Sequence, residues 1–125
     1  MFKRTEDDTT FIGIDVSKQN LDVFISRSNS KMQVKNNEEG FSELLKIVAG
    51  IPNPVIFFES TGIYGKDLAS YFLQHNISVA EVNAARIYNF SKSAGKLAKT
   101  DKIDAEMIAL YAKKMGKSAK VNFYF

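Results

Sequence analysis

The sequence predicts an α/β domain, a mixed five-stranded sheet flanked by helices in the order βββαβαβα. Three observations carry this. Phe11-Ile12-Gly13-Ile14-Asp15-Val16 and Val55-Ile56-Phe57-Phe58-Glu59 are short apolar runs, each with an acid at or near its end, and read as buried strands. Between them, Leu21 to Arg27 alternates, with Leu21, Val23 and Ile25 on one face. The polar turn Ser28-Asn29-Ser30 leads on into Lys31 to Lys35, so the first three strands form an antiparallel meander. Helical periodicity then separates the remaining strands, and three strands followed by βα units call for a mixed sheet covered by helices.

The helices follow from spacing and capping. Asn36 or Asn37 can cap the first, whose opening turn carries Glu38 and Glu39. Phe41, Leu44, Leu45 and Val48 give it one apolar face, and Gly50 and Pro52 stop it. Tyr64, Leu68, Tyr71 and Phe72 form the inner stripe of the second, and His75 reads as its C-terminal cap. Ile77 to Val82 makes the fifth strand. The rest reads as helix, interrupted around Ser93-Ala94-Gly95.

The 125 residues support one domain, 11–115, after a flexible N-terminus at 1–10 and before a basic tail at 116–125 that is open to disorder. With no Cys the chain has no disulfide scaffold, thiolate metal site or Cys nucleophile. No apolar run reaches the roughly 18 residues of a membrane span, so the expectation is a soluble, cytoplasmic protein without a membrane partner. Charge is uneven. Residues 1–85 hold 8 Lys/Arg against 11 Asp/Glu, whereas 86–125 hold 9 against 3. The basic third, with Lys92, Lys96, Lys99 and Lys102, makes a polyanion-binding surface, with a solvated helix face as the equal alternative.

The chemistry rests on Asp15, Glu59, Asp101 and Asp104. Asp15 and Glu59 close the two most apolar strands, where a charge is costly unless compensated. As neighbouring parallel strands these would place both acids at the carboxyl edge, where open α/β sheets bind ligands. Asp101 and Asp104 open the last helix, with Thr100 as its cap. At about 100° per residue, Asp104 shares the inward stripe of Ile108, Tyr111 and Met115, with Asp101 on its margin. Acids so clustered must be protonated or neutralised by divalent cations. Oxygen ligands without His or Cys favour Mg²⁺ or Mn²⁺, and two such ions can flank a phosphodiester.

The element order is that of ribonuclease H-like domains, and the motifs narrow it further. Gly13-Ile14-Asp15-Val16-Ser17-Lys18, Glu59-Ser60-Thr61-Gly62-Ile63-Tyr64 and Lys99-Thr100-Asp101-Lys102-Ile103-Asp104-Ala105 resemble the three signature blocks of the DEDD transposases. This is insertion-sequence family one-ten, which includes the Piv-type DNA invertases. Asn83 falls where the family tends to have an Asn after the fifth strand. The resemblance implies a RuvC-like catalytic domain whose tetrad, Asp15, Glu59, Asp101 and Asp104, binds metal and cleaves and transfers DNA strands. It also implies a noncoding guide RNA in many members, a homo-oligomer at full length, and a bacterial or archaeal, nucleoid-associated setting.

Family members are far longer, and a C-terminal domain supplies a nucleophilic Ser that lies outside these residues. Ser17, Ser60, Ser91 and Ser93 are not assigned that role. The expectation is therefore an isolated catalytic domain or a shortened copy. Two alternatives stand beside it: a nucleic-acid-binding fragment without turnover, and an actin-like ATPase or kinase fragment suggested by Gly13 to Ser17. The second would need a further Asp-x-Gly phosphate loop, which the sequence does not have.

Overall fold

A computed structural model describes residues 9–59, 62–95, 103–115 and 122–123. In it β1 (Thr10–Val16), β2 (Asn20–Ile25) and β3 (Ser30–Lys35) form the meander. They are followed by α1 (Glu38–Val48), β4 (Pro54–Glu59), α2 (Lys66–Gln74), β5 (Ser78–Val82), α3 (Ala84–Ser93) and α4 (Ala105–Met115). The pair Asn122–Phe123 adds a short β6 beyond the expected five, antiparallel to β5 and within the stretch read as a tail. The sheet order is β3-β2-β1-β4-β5-β6, with β1, β4 and β5 parallel and β2 antiparallel to β1.

Period-two alternation splits the strands between two faces. Ile12, Ile14, Val16, Leu21, Val23, Ile25, Ile56, Phe58 and Val79 face α1 and α2, packing on Phe41, Leu44, Val48, Leu68 and Phe72. The opposite parity, Phe11, Phe57, Ala80 and Val82, faces α3 and α4 through Ile87, Ile108, Tyr111 and Ala112. Phe11 meets Phe57 edge to face at 6.0 Å, and Phe90 meets Tyr111 at 5.6 Å. Such pairs add modestly to the burial itself.

Helix termini show their chemistry. Asn37, rather than Asn36, caps α1, its side chain accepting from Gly40 N at 2.9 Å. Asn83 caps α3, accepting from Ala85 N at 2.7 Å. His75 terminates α2 as expected, its Nδ1 lying 2.8 Å from the Tyr71 carbonyl. Asn36 does something else. Its amide donates to Ser17 O at 2.8 Å and Tyr64 O at 3.0 Å, clasping the loops that follow β1 and β4.

Two residues of the expected helical stripes lie elsewhere. Tyr64 precedes α2, which starts only at Lys66, and it is exposed because residues 62–65 form a turn with Gly62 at φ +67°. Met115 ends α4 and is also exposed.

α4 packs tightly on β1. A Cβ built on Gly13 would overlap the Ala105 carbonyl oxygen and the Ala109 backbone nitrogen. Phe24, opposite Gly13 on β2, packs with Ala105 and Ala109 beside that contact. Gly13→Ala should therefore lower stability by about 1–3 kcal/mol, the usual cost of overpacking. Gly50→Ala, whose added carbon comes no nearer than 3.7 Å to the Ile47 carbonyl oxygen, should stay within about 0.5 kcal/mol. Urea unfolding of both variants checks this, and equal costs would show that the α4–β1 approach is not tight.

Candidate active site

The site lies at the carboxyl edge of the sheet on the α3/α4 side. Asp15 is the penultimate residue of β1, half-buried, and shares the parity of Gly13 rather than of the aliphatic residues around it. The parallel register runs to Ile14 opposite Phe58, so one further step sets Asp15 level with Glu59 on the neighbouring strand. Glu59, also half-buried, closes β4 as the sequence predicts.

Asp104 arrives from above. It is not inside α4, as the helical stripe suggests, but caps it. Its Oδ1 accepts from Met107 N at 2.9 Å and its carbonyl accepts from Ile108 N at 3.0 Å. It is accordingly exposed, with Ala105 as the first helical residue. The cap of α4 is thus Asp104 and not Thr100. Thr100, Asp101, Lys96, Lys99 and Lys102 lie outside the described residues. Lys92 is exposed in the last turn of α3, where its charge complements the helix dipole.

Asp15 and Asp104 line one cavity of about 320 Å³. Asp22, Lys31, Gln33 and Glu106 line it too. Glu59 sits one strand over from its wall. Asp22 pairs with Asp15 in the antiparallel register, and Gln33 on β3 donates to its Oδ1 at 2.8 Å. In the sequence Asp22 reads as a solvent-facing strand residue. It is exposed, yet the surface it lies on is the cavity wall.

The β1–β2 turn sets the register that brings Asp22 to the site. Ser17 N and Oγ both donate to Asn20 O, closing the turn over Lys18 and Gln19. Counting outward from that turn pairs Val16 with Leu21 and Asp15 with Asp22. Lys18 thus belongs to the hairpin turn, as its flanking position predicts.

The donor set on the cavity wall is all oxygen apart from the Lys31 ammonium and the Gln33 amide nitrogen, with no His or Cys. Hard, oxygen-preferring cations suit such a wall. Among the described residues no three His, Cys, Asp or Glu side chains converge into a ready metal cage.

A sheet of this order with an acid near the end of β1, another ending β4 and a third capping α4 defines a ribonuclease H-like domain. The structure is similar to that of Thermus thermophilus RuvC, solved in complex with a Holliday junction substrate. The TM-score is 0.63 at 11% identity, over 92% of this chain and 99% of that one.

Residues 12–123 match the family model described as transposase, of the DEDD type of insertion-sequence family one-ten, and the chain belongs to this family. It is 37% identical over 111 residues to the pilin gene-inverting proteins of Moraxella bovis and Moraxella lacunata. Those matches cover 84% of this chain, which spans about a third of the relatives' length (34%).

Because Asp104 is both cap and cavity wall, its two roles separate by substitution. Asp104→Ala should cost about 0.5–2 kcal/mol through loss of the cap, whereas Asp104→Asn, an equally good cap, should cost only a few tenths. Thermal melting without divalent ions measures both. Equal losses would mean that the carboxylate charge, and not the capping hydrogen bond, holds the terminus.

Proposed function

We propose that this chain is the metal-dependent catalytic domain of a transposase or DNA recombinase, acting on phosphodiesters through Asp15, Glu59, Asp101 and Asp104. The observation that carries the reading is the shared cavity of Asp15 and Asp104, with Glu59 level with Asp15 one strand away. Family membership and the RuvC-like fold support it.

The four carboxylates would hold Mg²⁺ or Mn²⁺, as two ions. When bound, such ions supply Lewis-acid stabilisation of the entering and leaving oxygens of the phosphodiester. The chain's own residues do the rest. β1 and β4 fix Asp15 and Glu59 on a rigid sheet edge, and the α4 cap orients Asp104 through a backbone hydrogen bond. Gln33 holds Asp22 by its carboxylate on the wall beside Asp15. The substrate in this reading is DNA, with Lys92, Lys96, Lys99 and Lys102 gripping its backbone and a noncoding guide RNA selecting the sequence. The Ser nucleophile would come from a further domain, in a homo-oligomer of the full-length protein.

Asp15→Asn and Asp104→Asn together test the assignment. Saturating Mn²⁺ should stabilise the parent chain by mass action, about 2.7 kcal/mol at a hundred times the dissociation constant. The double variant should show almost none of that rise and no Mn²⁺-dependent nicking of duplex DNA. Equal rises in both proteins would place the ions elsewhere. Mn²⁺-dependent nicking retained by the double variant would remove these carboxylates from the chemistry. DNA binding by the parent chain with no Mn²⁺-dependent rise in its stability would favour a binding module.

A further inference from the structure

Five charged side chains line the Asp15/Asp104 cavity: Asp15, Asp22, Asp104 and Glu106 are acids, and Lys31 is the one cation among the described residues there. Lys31 lies on β3 opposite Phe24, which places it on the same sheet face as Asp15 and Asp22. Its Nζ is 3.4 Å from Oε1 of Glu106 in the first turn of α4, so the pair bridges the sheet and the helix beside the cavity.

We propose that Lys31 is a phosphate-binding residue of this cavity, masked by Glu106 until a nucleic-acid backbone enters. The inference rests on the functional reading above and deepens it. A phosphodiester approaching Asp15 and Asp104 meets mostly negative charge, and Lys31 is the cation placed to receive a non-bridging oxygen.

The exchange is cheap on both sides. The two side chains are 73% and 57% exposed, so water already screens their attraction and little is lost when it breaks. Glu106 is left at a helix N-terminus, where the dipole favours a negative charge without Lys31. Lys31 then gains a fully charged phosphate, whose counterions are released into solution. Glu106 thus acts as an internal competitor, weakening the hold on anions that do not reach the carboxylates.

The test is binding of a short fluorescent DNA duplex by the chain without divalent ions, across a salt series. Lys31→Ala should weaken binding several-fold and reduce the slope of log affinity against log salt by about 0.9, one phosphate contact on duplex DNA. Lys46→Ala, the same charge change in the last turn of α1 on the far face, should leave the slope unchanged. Glu106→Gln should tighten binding, and in a Lys31→Ala background that gain should largely vanish. An undiminished gain there would show that Glu106 acts as a general repulsive charge and overturn the masking. A slope unaffected by Lys31→Ala, or no binding by the parent chain, would overturn the phosphate role. The functional reading is decided separately by the Mn²⁺-dependent rise in stability and its loss in the Asp15 and Asp104 double variant.

Discussion

The contact of α4 with β1 at Gly13 is the constraint on which the site depends. A helix normally rides on a sheet at a distance set by intervening side chains. Here Gly13 has none, and Ala105 and Ala109 are small, so backbone nearly meets backbone. That brings the first residue outside the helix, Asp104, down to the level of the strand end that carries Asp15. With a larger residue at any of these three places the helix would lift, and its cap would leave the cavity. The glycine that occupies the middle of a strand, where it weakens the strand itself, is therefore a spacing device.

Much of this was legible in the sequence. Strand runs, the order of elements, a cap at Asn36 or Asn37, the break around Ala94–Gly95 and the side-by-side placement of Asp15 and Glu59 follow from periodicity, capping preference and acids in costly places. The family motifs added the identity of the fold. What was not legible was register and helix start. Asp104 and Ile108 share a helical stripe by arithmetic, but a side chain that can accept from Met107 N competes with the helix for its own position, and capping wins. Tyr64 was misplaced for a related reason. The turn at Gly62 consumes residues that an apolar spacing assigns to α2. Asp22 and Lys31 carry no motif and become visible only once hairpin register puts them beside Asp15.

Around the cavity, Asp22, Asp104, Lys31 and Glu106 each have a structural partner as well as a place on the wall. Gln33 holds Asp22, the Met107 amide holds Asp104, and Lys31 holds Glu106. Such local partners fix the orientation of the carboxylates, so less side-chain freedom is lost when a cation or substrate arrives. At the back of the same edge, the Asn36 amide binds the carbonyls of Ser17 and Tyr64, tying together the loops that continue from the two acidic strands.

The division of the sheet into two unequal faces has a consequence for where the molecule yields first. Among the described residues, the α1/α2 face holds sixteen buried residues in one continuous cluster, whereas those on the face carrying α4 fall into clusters of eight and three. Local opening costs least where least apolar surface is exposed by it. The layer that bears the site is thus the one that can loosen while the other stays shut. Excursions of α4 away from β1 would withdraw Asp104 and leave the remaining framework intact. The fold keeps its permanence on one side of the sheet and its adjustability on the other.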